Sequence, residues 1–347
     1  MYLVNNFLTT MKEMYFFNFL FIFSILLGVC SSSFIGIWFS MEFGLMIFIP
    51  ILIGEKSFQE IECCMKYFLI QSFSSVLYLY SCIISFNYYC YYEDFNFIFW
   101  ILLISILIKL GAAPLHFWFP SICSGISWKN FFLISVLQKI IPLYLLLSMS
   151  VSNLTMIFMS FMSLMFGSLG SLNQLNLKKL LAYSSISHLA WLMMSMKMSW
   201  LTFMCYFLFY SLIMSEVTFF LKFMNIEWLM EMNLKGVSSP LFLIMAFKFF
   251  SLAGLPPFLG FYPKSSVIYM MMKNNLIWYS IIMMIMGLFS VFVYTRMILS
   301  FLLMSFNSLK VLKMEFWIMN FNLLVFLFSE IFIIMMMFMF FGIWIFF

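Results

Sequence analysis

ISILIKLGAAPLHFWFP, residues Ile104–Pro120, begins as an apolar helix and carries Lys109 within it. Gly111 and Pro114 follow directly and interrupt the backbone hydrogen bonds of that helix. A lysine in hydrocarbon costs from about 3 to more than about 10 kcal/mol, depending on the reference state. A break in a membrane helix is tolerated only where protein or water satisfies the freed backbone groups. The stretch therefore predicts a functional site at a broken membrane helix.

The composition places the whole chain in a membrane. Of its 347 residues, 66% are hydrophobic and 8% are charged, whereas a soluble domain carries roughly 25% charged residues. The apolar runs reach the length of about 20 residues that a membrane helix needs, and the alternation typical of an outer-membrane barrel is absent. A net charge of +5, spread thinly and without a basic block, argues against nucleic-acid binding.

The sequence contains no pattern for a cofactor or a metal. The seven cysteines have no CxxC or Cys/His spacing, and they are typical of small apolar residues in helices. The two histidines, His116 and His188, are too few for a haem pair or a histidine-based metal site. Neither GxGxxG nor GxxxxGK[ST] occurs, so no nucleotide site is predicted.

The apolar runs predict an all-α polytopic protein with about eleven transmembrane helices. Since the connections are short, we expect a single membrane domain over residues 1–347 without a soluble part. The predicted spans are residues 14–32, 34–53, 64–86, 96–117, 122–147, 152–170, 177–196, 199–221, 239–270, 276–304 and 319–346.

A second interrupted span resembles the first. MAFKFFSLAGLPPFLGFYPKSSV, beginning at Met245, contains Gly254 and three prolines, with Lys248 before the break and Lys264 after it. Broken helices in corresponding positions indicate a repeated transporter fold. Because spans four and nine lie five spans apart, the second repeat enters the membrane from the opposite side. The pattern predicts two inverted five-helix repeats, over about 14–147 and 152–304, with an extra helix at 319–346.

The loop charges predict the orientation. If the N-terminus starts on one side, that side receives most of the loop lysines: Lys12, Lys56, Lys129, Lys178, Lys179, Lys222, Lys235, Lys310 and Lys313. The other side receives Lys197, Lys273, Glu93 and Asp94. The N-terminus should therefore face the positive compartment, and an odd number of spans puts Phe347 on the opposite side.

Several ionisable residues lie inside predicted spans. Glu42 in span two needs a cation, for which Lys109 is the candidate, although a packing role stays open. Lys139 lies in the middle of span five; Lys264 and Lys248 lie in span nine, and each of these lysines could instead extend to the interface. Glu216 and Glu330 also lie within spans, where a local structural role is the simpler interpretation.

Span seven adds a polar patch of Ser184, Ser185, Ser187 and His188 in an apolar helix. Such residues line a hydrated path or join helices, and a histidine near neutrality relays protons. His116, after the first break, is a candidate for a water-filled mouth or for a structural role. Desolvation lowers the pKa of a lysine and raises that of a glutamate, so single buried groups on successive spans form a hypothetical proton path.

Four motifs resemble the antiporter-like membrane-arm subunits of respiratory complex I, in particular the subunit 2 family of mitochondrial NADH–ubiquinone oxidoreductase. They are KLGAAPLHFWFP (Lys109–Pro120), LQKIIPL (Leu137–Leu143), SLNQLNLKKLLAYSSISHLAWL (Ser171–Leu192) and SLAGLPPFLGFYPK (Ser251–Lys264). The likeness runs from about Ser33 to about Arg296. It departs at Gly44, where that family often has Asn, and at Leu137, where Trp is common.

The resemblance implies a proton-translocating subunit of an enzyme complex. Glu42 matches the membrane glutamate of that family, and Lys109 matches its central pumping lysine. Lys139 matches the lysine that relays protons along the membrane plane, and Lys264 the lysine that passes them to an exit or a neighbour. His188 matches the histidine of S-S-I-x-H.

The same resemblance implies partners and a location. NADH, FMN, the iron–sulfur clusters and ubiquinone belong to other subunits, so this chain carries no cofactor. Its partners are other complex I subunits, including neighbouring antiporter-like ones, and membrane lipid. The location is the mitochondrial inner membrane, with the N-terminus in the matrix and the C-terminus in the intermembrane space. An Mrp-type cation/proton antiporter subunit and a purely structural membrane subunit remain as alternatives.

Overall fold

The computed structural model describes residues 2–54, 57–87, 92–149, 151–229, 231 and 239–308. A 3₁₀ segment, Leu137–Lys139, separates the sixth helix from the seventh. The helices are α1 (Tyr2–Cys30), α2 (Phe34–Leu52), α3 (Phe58–Asn87), α4 (Tyr92–Leu110), α5 (Trp118–Cys123), α6 (Trp128–Ser135), α7 (Ile140–Ser148), α8 (Asn153–Gly170), α9 (Leu177–Met198), α10 (Trp200–Met224), α11 (Ser239–Ala253), α12 (Phe261–Lys273) and α13 (Ile277–Ser308).

The described chain is helical and suited to a membrane. It forms no strand in these ranges, apart from an isolated bridge between Asn176 and Trp228. Shorter apolar helices lie at Met14–Cys30, Phe97–Leu110 and Ile244–Ala253. Six helical stretches are long and apolar enough to cross a bilayer: Phe34–Leu52, Phe58–Ser85, Trp128–Ser148, Asn153–Gly170, Trp200–Met224 and Ile277–Leu299. With the composition, they define a multi-pass membrane protein.

The chain forms two compact units. The first comprises the chain up to Gly167 together with Lys178–Ala190, and the second comprises Ser168–Leu177 and the chain from Trp191 onward. In the first unit, α2 packs against α1 and α3, and α4 packs against α3 and α7. In the second unit, α10 and α13 each pack against α11 and α12.

Both predicted helix breaks are confirmed, and both use the same backbone turn. α4 and α11 are each followed directly by a glycine in the left-handed region, Gly111 with φ of +65° and Gly254 with φ of +78°. The N–H of each glycine donates to the carbonyl three residues back, and the next N–H donates five residues back, to Leu107 and Phe250. This is the Schellman motif, in which a glycine satisfies the last carbonyls of a helix. Neither break therefore leaves the helix end uncapped in hydrocarbon.

The predicted fifth span is interrupted, which the sequence interpretation missed. α6 ends at Ser135, and the N–H of Lys139 donates to the carbonyl of Val136, three residues back. Pro142 explains the change, because proline has no N–H for the carbonyl of Gln138 and its ring presses on that carbonyl. A 3₁₀ stretch within a helix often marks a functional position. Lys139 therefore lies at a third irregularity rather than in a continuous helix.

Corresponding features in the first and second halves of the chain are separated by the same number of residues. The interval along the chain from Gly111 to Gly254 equals the interval from Pro114 to Pro257. The same interval separates the first residues of α2 and α9, the last residues of α4 and α11, and the first residues of α5 and α12. A constant interval across several elements is typical of an internal repeat.

Other predicted spans differ mainly at their ends. α1 and α3 begin earlier than predicted, at Tyr2 and Phe58, since the helices continue past their apolar cores. The predicted span 96–117 ends at Leu110 because Gly111 terminates it. The predicted span 319–346 and Glu330 lie outside the described residues.

Replacing Gly111 by alanine tests the first break. We expect Gly111→Ala to lower the free energy of unfolding by about 1–3 kcal/mol, because a Cβ disfavours the left-handed backbone and would lie 3.1 Å from Cβ of Phe119. The free energy of unfolding is measured in mixed detergent micelles. Gly287→Ala in α13 is the control, since its added Cβ has no neighbour closer than 3.8 Å and helical alanine is favoured. Equal effects at both positions would contradict the assignment.

Candidate functional site

Lys109 lies in the last turn of α4, two residues before the glycine that ends the helix. Its Nζ donates to Sδ of Met41 in α2 at 3.6 Å. The neighbouring Glu42 interacts with Lys109 electrostatically, yet the two form no direct ion pair in the described structure. The expected partnership of Glu42 and Lys109 is therefore one of nearby charges, without contact.

Glu42 has an unusual environment for a carboxylate. Its Oε1 is buried and has no hydrogen-bond partner among the described residues. Buried carboxylate oxygens are normally hydrogen-bonded, because an unsatisfied one carries its full desolvation penalty. An ordered water is the usual partner of a buried polar atom that no protein group reaches.

A partly open cavity of about 50 Å³ with a mixed polar and apolar lining lies beside Lys109 in the first unit. The polar side chains of the lining are Ser24, Ser40, Tyr67, Gln71, Lys109 and Gln138. A cavity needs about 10–15 Å³ to hold one water, so this one has room for a few. The cavity extends from the central lysine to Gln138, the residue directly before Lys139.

Lys139 is 2% exposed and lies in the 3₁₀ segment. Its Nζ donates to the backbone carbonyl of Ser185 in α9 at 3.4 Å and lies 5.0 Å from the ring centre of Phe119. The alternative in which Lys139 extends to the membrane surface is therefore wrong. The irregular backbone directs a buried ammonium group to a carbonyl of a neighbouring helix.

The predicted polar patch on α9 is buried, but its hydroxyl groups bond within their own helix. Ser184 donates to the carbonyl of Leu181, Ser185 to that of Ala182, and Ser187 to that of Ser184. His188 is 7% exposed and lies three residues after Ser185, on the same side of the helix. The first unit therefore contains Glu42, Lys109, Lys139 and His188.

His116 does not lie at the open mouth of a water-filled cavity. It is 2% exposed, its Nδ1 lies 3.3 Å from the carbonyl oxygen of Pro114, and its ring contacts Phe117, Phe166 and Tyr183. These contacts favour the structural interpretation, in which the histidine packs the chain after the first break.

Lys264 binds the end of the helix at the second break. It lies in the first turn of α12, and its Nζ donates to the carbonyl of Ala253, the last residue of α11, at 2.7 Å. Gly254 allows the lysine to approach, because a Cβ there would lie 2.9 Å from Cδ of Lys264. The ring of Trp191 lies 5.9 Å from the ammonium. Lys264 is buried, so a surface position is excluded.

A further ion pair in the second unit was not predicted from the sequence. Nζ of Lys248 in α11 lies 2.5 Å from Oε2 of Glu216 in α10. The sequence interpretation gave Glu216 a local role without a partner, and for Lys248 it left open an extension to the interface. A signal was present, since predicted span eight carries one charged residue, Glu216, and the next span carries two lysines.

Fold and site together define a helical membrane protein with buried lysines at helix breaks, an arrangement typical of ion transporters. The family described as NADH:quinone oxidoreductase/Mrp antiporter matches residues 31–292. The NADH-ubiquinone oxidoreductase chain 2 of Anopheles gambiae is 34% identical over 293 residues, covering 83% of this chain and 85% of that protein. That of Artemia franciscana is 37% identical over 293 residues, covering 84% and 91%. The chain belongs to the NADH-ubiquinone oxidoreductase chain 2 family.

A solved structure supports the fold. A chain of respiratory complex I from Thermus thermophilus with bound Aureothin superposes with a TM-score of 0.75, covering 83% of this chain and 70% of that chain. At 20% identity, the likeness establishes the shared fold.

A double-mutant cycle tests the contact between Gly254 and Lys264. We expect Gly254→Ala to destabilise the chain by about 1–3 kcal/mol, because the methyl group strains the backbone and displaces the lysine. In a Lys264→Ala background the clash is absent, so the loss should be smaller by about 0.5–3 kcal/mol. Free energies of unfolding in mixed micelles give the coupling, and strictly additive losses would contradict the geometry.

Proposed function

We propose that this chain is the chain 2 subunit of a respiratory NADH–ubiquinone oxidoreductase and conducts protons through buried Glu, Lys and His groups and water. Quinone reduction elsewhere in that complex drives the transfer. The observation that carries the proposal is the cavity beside Lys109, near a helix break, which has room for a few waters and polar side chains in its lining. A group that gains and loses protons, placed next to space for water, is what a membrane proton path requires.

The first unit suggests a sequence of steps. Protonation of the Glu42 carboxylate removes the negative charge that stabilises the Lys109 ammonium. Lys109 then gives one proton to water in the cavity, and the proton passes through water, which Gln138 orients, to the neutral amine of Lys139. His188 accepts or returns a proton from the same region. Each step moves one proton and leaves the heavy atoms in place.

Lys264 serves the second unit in this mechanism. Its ammonium is held by the carbonyl of Ala253, a neutral acceptor. Loss of the proton therefore leaves no buried carboxylate without a partner. We assign to Lys264 the release of protons toward an exit or a neighbouring subunit.

The proposal includes the architecture that the sequence predicts. Eleven spans form one membrane domain of two inverted repeats, over about 14–147 and 152–304, with a last helix at 319–346. The constant interval between corresponding helix boundaries supports the repeat. In this proposal the broken helix of each half supports proton transfer by a buried lysine.

The proposal also assigns partners. Other complex I subunits, including antiporter-like neighbours, cover part of the exposed apolar surface, and lipid covers the rest. NADH, FMN, iron–sulfur clusters and ubiquinone bind to those other subunits. Two relatives at 34% and 37% identity, both NADH-ubiquinone oxidoreductase chain 2, favour this role over an Mrp-type antiporter.

Replacing Lys109 by methionine tests the central role. We expect Lys109→Met to abolish most proton pumping coupled to NADH oxidation, because methionine fills the site but carries no proton, while the complex still assembles. Dye quenching in sealed membrane vesicles measures pumping, and native electrophoresis measures assembly. Lys66→Met, at a lysine whose side chain is 49% exposed on α3, is the control and should pump normally. Full pumping by assembled Lys109→Met would end the proposal.

Orientation has its own test. We propose that the chain lies in the mitochondrial inner membrane, with the N-terminus in the matrix and the C-terminus in the intermembrane space. Lys129→Cys and Lys273→Cys place thiols at exposed positions for which the charge count predicts opposite sides. An impermeant maleimide added to mitoplasts should label only the Lys273→Cys variant. Labelling of Lys129→Cys alone would reverse the orientation.

A further inference from the structure

The second unit holds a buried ion pair that the mechanism above does not use. Nζ of Lys248 and Oε2 of Glu216 are 2.5 Å apart, and the side chains are 2% and 13% exposed. Lys248 lies on α11 and Glu216 on α10, which pack against each other. The pair therefore joins two helices inside the apolar part of the chain.

The pair lies well inside its helices. Glu216 precedes Met224, the last residue of α10, by eight positions, or about 12 Å along the axis. Exposed Lys222 lies in the last turn of the same helix. Lys248 follows Ser239, the first residue of α11, by nine positions, or about 13.5 Å. Neither group has the position of a residue that extends to the membrane surface.

Stability is a weak explanation for such a pair. The cost of desolvating two charges offsets much of their attraction, and replacement of a buried pair by apolar residues is often neutral or stabilising. Ionisable residues inside membrane helices are in contrast characteristic of proton and ion pathways. The argument favours a role in which the charges change.

The pair shares a helix with the carbonyl that holds Lys264. The ammonium of Lys264 is bound to the carbonyl of Ala253, which lies five residues beyond Lys248 on α11. Five helical residues span about 7.5 Å along the axis. The second unit thus contains a carboxylate, a lysine paired with it and a second lysine at the break, as the first unit contains Glu42, Lys109 and Lys139.

We propose that Glu216 and Lys248 form a second carboxylate–lysine proton-transfer pair, which exchanges protons with Lys264 at the break after α11. The proposal rests on the proton-conducting function. A proton that shifts from the Lys248 ammonium to the Glu216 carboxylate leaves a neutral amine and a carboxylic acid. Both buried charges disappear, and the net charge of the pair stays zero. The amine then takes a proton from Lys264 through water, and the acid releases its proton onward.

Lys248→Arg in the assembled complex is the decisive variant. Arginine keeps the positive charge and the pairing with Glu216, but it does not release its proton in a protein. We expect the variant to assemble, because the ion pair is preserved. We expect it to pump at least about tenfold more slowly, because the arginine keeps its proton. A purely structural pair would leave pumping unchanged. Proton uptake during NADH oxidation in sealed vesicles gives the rate. Full pumping by assembled Lys248→Arg would overturn the inference.

A second variant covers a failure of the arginine form to assemble. The Glu216→Gln, Lys248→Met double variant removes both charges and leaves neither one unpaired, so it should assemble better than either single variant. We expect it to pump poorly, and normal pumping would overturn the inference. Lys66→Arg, within the exposed Glu62–Lys66 pair at 2.5 Å, is the matched control and should pump normally.

The Lys109→Met variant in the same assay separates this inference from the function on which it rests. If Lys109→Met loses pumping while Lys248→Arg retains it, only the role of the second pair fails. If Lys109→Met retains full pumping, the proton-conducting function itself fails.

Discussion

The hydrocarbon requirement that every backbone polar group find a partner governs this structure. At Gly111 and Gly254 the chain leaves the helix, and a left-handed glycine turns its own N–H and the next N–H back onto the last carbonyls of that helix. Other groups complete the arrangement: the indole N–H of Trp118 donates to the carbonyl of Ile108, and Lys264 donates to that of Ala253. Each break is thus closed locally, and a buried lysine becomes part of the closure or lies directly beside it.

The same requirement gives Lys264 its partner. The last carbonyls of a helix have no partner within it, and the ammonium of Lys264 reaches such a carbonyl at Ala253 because Gly254 leaves room for it. Lys139 instead reaches the carbonyl of Ser185, inside α9, from the 3₁₀ segment that Pro142 imposes. A lysine held by a neutral carbonyl gains or loses a proton without leaving a counter-charge behind. Lys248 differs, because its carboxylate partner allows a proton shift within the pair.

The sequence predicts the helix breaks of the site but not the partners of its side chains, for physical reasons. Glycine and proline act on their own backbone, so the breaks after Lys109 and Lys248 were predictable from residue types. Pro142 carried the same information about Lys139, but the apolar residues on both sides favoured a continuous span. Partners belong to other helices, and the sequence contains no measure of their distance. Glu216 and Lys248 therefore appeared as separate charges, and His116 as a group near water, until packing placed them.

Taken by itself, the sequence determined the membrane location, the helical class, the two interrupted helices and the buried ionisable residues, because hydropathy and backbone chemistry are local properties. Only the tertiary structure decided that Lys109 faces Met41 rather than bonding Glu42, that a water-sized cavity adjoins it, and that Lys248 pairs with Glu216. These facts depend on how side chains from different helices fill the space between them, and that filling is a collective result of packing.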